Sequence, residues 1–384
     1  MKKKGKWIIS TILLIIFFVC LGVLYCCTNN QFERMENGFE TKKENEIFEE
    51  YYPAAEEIIK SMTLEEKAGQ VLLARCPLIG ANTDINSYNP GGYAIYSINL
   101  KGKSKLDVMK EINGYQKVSS IPMVIAVDEE GGTVSRVSRV FRNEIFSSPR
   151  SLYQQGGFEA ILKEETEKIS LLSSLGINLN LAPNVDISTD ENDYMYYRSI
   201  GENADITALF AEKMTLLYNK RKMGMTLKHF PGYGNSKDTH DSIVIDDRSE
   251  EEFRQNDFLP FIAGINNGAQ SIMVSHNILV WKDPDVPSSL SKPVHDILRD
   301  ELGFTGVIIT DDISMSGIKK YLEKDEEAVV LAINAGNDLI STSNFIEDRE
   351  KIIRAVKNGQ IKESVLNSAV RRVVAWKYYL GILK

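Results

Sequence analysis

The chain has 384 residues, 43% of them hydrophobic and 26% charged, a globular composition that excludes a disordered or collagen-like protein. The net charge is −8, and because Lys2, Lys3, Lys4 and Lys6 place four positive charges at the very start, the rest carries −12, which argues against nucleic-acid binding. Of the four cysteines, Cys20, Cys26 and Cys27 lie in an N-terminal apolar run and only Cys76 in the body, so neither a disulfide scaffold nor a cysteine-based zinc site is expected.

Residues 7–27 supply about twenty nearly uninterrupted apolar residues after the basic flank, enough to cross a ~30 Å hydrocarbon core as a helix. Residues 1–27 are therefore read as an uncleaved signal anchor, its basic flank cytoplasmic and everything after residue 28 outside. The rivals are a cleaved signal peptide, for which a small-x-small site is lacking, and a lipoprotein signal, which would place a small residue where Tyr25 precedes Cys26. Residues 28–53 are charged, with few aliphatics and no apolar period, which predicts a polar stalk.

From Ala54 onward, residues 54–384 are expected to form one folded domain. Thr63 and Glu66 are spaced as a capping box opening a helix that runs into Val71-Leu72-Leu73. Beyond it, short β-branched or apolar runs alternate with longer amphipathic stretches. Strands are expected at 70–74, 92–99, 122–128, 177–185, 225–229, 271–276, 306–311 and 337–341, and helices at 105–117, 158–175, 206–223, 251–266, 292–301, 325–335 and 348–358. Eight such units in about 330 residues predict an α/β protein with a (β/α)8 TIM barrel rather than two doubly wound domains.

In such a barrel the site forms at the C-terminal strand ends, and four apolar runs end in chemistry-bearing residues: Asp128-Glu129-Glu130, Lys228-His229, Ser275-His276-Asn277 and Asp311-Asp312. One charged tip is readily explained as a solvated strand end; four together are not. The segment 228–242 holds two of the four histidines, and Pro231, Gly232 and Gly234 mark it as a loop. Asp238 and His240 lie two apart, close enough for the carboxylate to fix the imidazole tautomer. Such a pair could donate a proton opposite a strand-end aspartate, with the glycines and proline giving the loop freedom to fold over a ligand. Without an HExxH pattern or body cysteines to match, metal binding is not expected.

At these residues the chain resembles glycoside hydrolase family 3, and within it the NagZ-type β-N-acetylglucosaminidases. The marks are MTLEEKAGQ (62–70), DEEGGTVSR (128–136), LAPNVDI (181–187), YRSIG (197–201), KHFPGYGNSKDTH (228–240), LSKPVHDILRDELGFTGVIITDDISM (290–315) and AGNDLI (335–340). The resemblance implies Asp311 as nucleophile, His240 as acid/base with Asp238 orienting it, and Asp128, Arg136, Arg198, Lys228 and His229 as partners of the hydroxyls of the bound sugar. Tyr233 and Thr133 depart from the family pattern, where many members have histidine and arginine. By resemblance, no metal or cofactor is required.

The expected function is a retaining exo-β-N-acetylglucosaminidase acting outside the membrane on GlcNAc-containing fragments of peptidoglycan, its partners being a carbohydrate substrate and the membrane. The alternatives are a β-glucosidase or glycoside phosphorylase of the same family, and a tethered carbohydrate-binding protein that has lost catalysis.

Overall fold

The computed structural model describes residues 46–234, 244–322 and 327–384. The expected anchor (1–27), most of the expected stalk, and both Asp238 and His240 lie outside the described residues. Among those described, no helix is long and apolar enough to cross a membrane.

Eight strands build one parallel sheet: β1 Leu72–Arg75, β2 Gly92–Ile95, β3 Val124–Val127, β4 Leu179–Asn180, β5 Gly224–Phe230, β6 Ser271–Val274, β7 Val307–Thr310 and β8 Ile340–Thr342. From β1 to β7 each strand pairs with the next, and β8 returns to β1 through Leu72↔Ile340. The remaining seam, between β7 and β8, is closed by the parallel bridge Ile309↔Leu339, where Thr310 N donates to Leu339 O (3.1 Å). All eight predicted strands are present, as a nearly closed barrel. Every residue of β2, β3, β6 and β7 is buried, as in parallel strands covered on both faces, which is why they read as continuous apolar runs. The expected strand 177–185 is regular only at Leu179–Asn180, because Pro183 has no amide hydrogen to give a ladder; the bridge Asn184↔Lys228 still holds that segment against β5.

The Thr63–Glu66 capping box opens Leu64–Gln70 as expected, and Ser104 with Asp107 repeats the device before Lys105–Val118. The helix expected at 158–175 runs from Pro149 to Ser174 with a break at Gly156 and Gly157. That at 251–266 is in pieces, Glu250–Glu252, a π-helical turn Phe253–Asp257 and Phe258–Asn266.

Two features depart from the expectations. The C-terminal helix Glu363–Tyr379 seals the barrel floor: Trp376 Nε1 donates to Gln270 Oε1 (3.2 Å) and Lys377 Nζ to Gln70 Oε1 (2.7 Å), at the N-terminal ends of β6 and β1. Lys377 is fully buried, and burial pushes its ammonium down to about 7. The stalk boundary at residue 53 is also placed too late. Phe48 is fully buried with its ring 5.5 Å from that of Tyr379, Tyr51 stacks on Tyr378, and Tyr52–Ser61 is helical. Aromatic rings packed on the last helix outweigh the charges among which they stand.

Candidate active site

At the C-terminal ends of the strands lies a cavity of about 620 Å³ lined by Asp128, Arg136, Arg198, Lys228, His229 and Asp311 together with Tyr96, Tyr194, Tyr197, Tyr233 and Asp312. Every predicted site residue within the described chain is thus brought to one place. The other two, Asp238 and His240, belong to the segment outside the described residues.

The three successive carboxylates after β3 have three separate roles. Asp128 faces the cavity and accepts from Lys228 Nζ (2.8 Å). Glu129 turns into the protein and accepts from the backbone N–H groups of Arg136 (2.8 Å) and Val137 (2.6 Å) and from the Ser138 hydroxyl. This pins the short hairpin that carries Arg136 to the end of the strand. Glu130 is the buried hub: Arg198 donates to it through two nitrogens (3.0 and 2.7 Å), and Lys228 Nζ approaches it at 2.7 Å.

Burial would raise the Glu130 carboxyl, but the Arg198 and Lys228 charges override it and hold it well below the usual carboxylate range. Lys228, fully buried, is pulled down by burial and raised overall by Asp128 and Glu130, so the cavity keeps an ammonium. Arg198 behaves likewise against Glu130. Two cations and an aspartate are therefore held rigidly at the cavity wall, a donor and acceptor set suited to a polyhydroxylated ring.

His229, next to Lys228 at the end of β5, has Nδ1 2.7 Å from Asp186 Oδ2, which leaves Nε2 as the nitrogen available to a ligand. Asp186 also accepts from the backbone N–H of Tyr233 (3.1 Å). Among the described residues Arg136 Nε has no hydrogen-bond partner, although it is buried and its residue lines the cavity, which suits a donor to a ligand. Its guanidinium and that of Arg75 lie over the Tyr96 ring at 5.7 and 4.6 Å.

At the end of β7, Asp311 lines the cavity and its Oδ1 accepts from Asp312 N (2.8 Å). The neighbouring Asp312 also reaches the cavity, contrary to the outward direction that strand alternation suggests, because β7 ends at Thr310. Both its oxygens are engaged, Oδ1 by Ser314 N and Oδ2 by the Ser343 hydroxyl, each at 2.8 Å. His276, another of the strand-tip residues, is wholly buried. Its Nε2 donates to Asp312 O (3.1 Å) while Nδ1 meets the Ser289 hydroxyl (2.7 Å), so it secures the tip rather than facing the cavity.

The sequence reading placed Glu130 at a strand tip without assigning it a role, and it did not single out Asp186 or Tyr96. The first two stand inside the motifs DEEGGTVSR and LAPNVDI, but their buried partners Arg198, Lys228 and His229 come from distant parts of the chain; Tyr96 carried no signal.

Residues 63–376 match the glycosyl hydrolase family 3 N-terminal domain. An uncharacterized secreted glycosyl hydrolase of Arthroderma benhamiae is 30% identical over 305 residues, 74% of this chain and 84% of that protein. A beta-hexosaminidase of Stenotrophomonas maltophilia is 35% identical over 204 residues, 51% of this chain and 59% of the relative's own length. Among solved structures, a family 3 beta-N-acetylglucosaminidase from Paenibacillus has a TM-score of 0.78 at 27% identity, over 84% of this chain and 63% of that one. With a match that runs through the whole barrel and includes every strand tip around the cavity, the chain belongs to glycosyl hydrolase family 3.

Proposed function

We propose that the protein is a retaining, exo-acting β-N-acetylhexosaminidase. The observation that carries this reading is the pairing of Asp311, at a rigid strand end in the cavity, with a wall of fixed cations and an aspartate that suits a sugar's hydroxyls. Asp311 attacks the anomeric carbon as the glycosidic bond breaks, His240 gives its proton to the departing oxygen, and Asp238 orients the imidazole. Neutral His240 then takes a proton from the incoming water as the glycosyl ester on Asp311 is cleaved, restoring both groups. A histidine acid avoids a second negative charge beside Asp311, which suits an anionic leaving group. We assign Asp128, Arg136, Arg198, Lys228 and His229 to the hydroxyls of the bound sugar. The substrate class is GlcNAc-containing peptidoglycan fragments, met outside the membrane by a domain tethered through residues 1–27. The beta-hexosaminidase and secreted relatives support the activity and the compartment respectively.

The test is hydrolysis of p-nitrophenyl β-GlcNAc against p-nitrophenyl β-glucose, each with and without phosphate. The expected kcat/KM is at least ~10-fold higher for β-GlcNAc, about 1.4 kcal/mol of transition-state discrimination, with no acceleration by phosphate. A preference for glucose, or dependence on phosphate, would replace this reading by a β-glucosidase or a phosphorylase.

A further inference from the structure

Both ends of the segment carrying His240 meet at one buried ionic cluster. On the incoming side the backbone of Gly232 (φ +125°) and Gly234 (φ +52°) lies directly on it. A Cβ on Gly232 would stand 2.2 Å from Asp257 Oδ1, and one on Gly234 2.4 Å from Arg248 Cζ. These glycines are thus required for close approach, whereas the sequence had suggested loop freedom. On the outgoing side, Ile278 N donates to Val244 O (2.8 Å) and Val280 N to Asp246 O (3.1 Å), tying the chain beside β6.

The cluster joins the two sides. Arg248 gives Nε and Nη2 to the two oxygens of Asp246 (3.0 and 2.8 Å) and Nη1 to Asp257 Oδ2 (2.8 Å). Asp257, only 3% exposed, ends the turn Phe253–Asp257 that leads into the helix packed on β5. Its Oδ1 has no hydrogen-bond partner among the described residues and is the atom nearest to where a Gly232 side chain would stand. Neither Asp257 nor Arg248 lines the cavity, so neither meets a bound ligand directly.

We propose that Asp257, acting through Arg248 and the backbone at Gly232, is a positioning residue for the proton-donating step: it fixes Gly232 and Gly234 on one side and Asp246 and Arg248 on the other, between which His240 stands in the sequence. The proposal rests on the reading of His240 as the proton donor. Burial pushes the Asp257 carboxyl up to about 7 against the pull of Arg248, and Asp186 and Asp246 add to the rise. Among the described residues, Arg248, Asp186 and Asp246 are the charged groups that act on it most strongly, and Asp186 is itself paired with His229. A carboxyl whose folded pKa is raised is favoured in its neutral form, so above about pH 7 its charge is a cost to the fold. Asparagine carries no such cost, and Asp257→Asn is expected to fold.

The experiment compares Asp257→Asn, His240→Ala and the double variant on two substrates: a β-1,4-linked GlcNAc disaccharide, whose leaving oxygen needs a proton, and dinitrophenyl β-GlcNAc, whose leaving oxygen does not. Asp257→Asn is expected to lower kcat on the disaccharide ~10-fold or more and on the aryl glycoside less than ~3-fold, with KM unchanged on both. In the His240→Ala background it is expected to add nothing further, since both changes remove one function. Equal losses on both substrates, or an undiminished effect without His240, overturn the positioning role. A His240→Ala variant with no substrate selectivity overturns the acid–base reading instead, and the role of Asp257 with it. Should Asp257→Asn not fold, Arg248→Lys, which keeps the charge and loses the two-sided bridge, is expected to give the same selectivity, and an unselective loss there counts against the proposal.

Discussion

Asp311→Asn is expected to lower kcat/KM on p-nitrophenyl β-GlcNAc by more than ~10³-fold while leaving the thermal midpoint unchanged. The change is isosteric, and the carbonyl oxygen of the new side-chain amide can still accept the Asp312 N–H that Asp311 Oδ1 accepts now, so that contact is kept while the carboxylate charge is removed. Asp312 is the necessary control because it lines the same cavity. Its carboxylate oxygens are committed to Ser314 and Ser343, so Asp312→Asn is expected to cost activity only through the tip's geometry, well short of the Asp311 loss. The reverse ranking in steady-state assays would move the nucleophile by one residue.

Glu130→Ala is expected to damage both fold and function. The side chain is 1% exposed and is the shared partner of Arg198 and Lys228. Its removal leaves buried cations short of their anion, a loss of about 3–5 kcal/mol in unfolding free energy. Chemical denaturation should report that loss, and kcat/KM should fall by at least ~10²-fold, because Lys228 and Arg198 lose the anchor that aims them into the cavity. Since the folded Glu130 carboxyl is held below its ordinary value, the stability it supplies is complete above the unfolded pKa and is withdrawn only as pH falls through the folded one. Its contribution therefore persists across neutral and mildly acidic pH, and the wild-type minus variant difference should be flat from about pH 6 to pH 8. A variant as stable as the wild type would mean that the cations find water or Asp128 sufficient.

The barrel was legible because parallel strands buried on both faces must be apolar throughout. Val124–Val127 and Val307–Thr310 show it, and the polar residue that follows each such run is where the cavity lies. The helix Glu363–Tyr379 was less legible, since the polar atoms it meets, on Gln70 and Gln270, belong to residues 307 and 106 positions earlier in the chain. The same non-locality hid Glu130. In Asp128-Glu129-Glu130 nothing local tells which carboxylate faces ligand, backbone or cation, and the answer comes from Arg198 and Lys228, which the fold delivers from later in the chain. Gly232 and Gly234 teach a related lesson. Glycine marks either freedom or close approach, and only the position of Asp257 and Arg248 decides between them.

The central claim, a covalent glycosyl-enzyme on Asp311, is tested most directly by mass spectrometry of the protein after reaction with a 5-fluoro β-GlcNAc glycoside bearing an activated leaving group, which slows release of the intermediate more than its formation. The predicted result is one glycosyl adduct per chain on the peptide that includes Asp311, with fragmentation placing it on that side chain. An adduct on Asp312 or another carboxylate, or consumption of the reagent with no adduct, would contradict it.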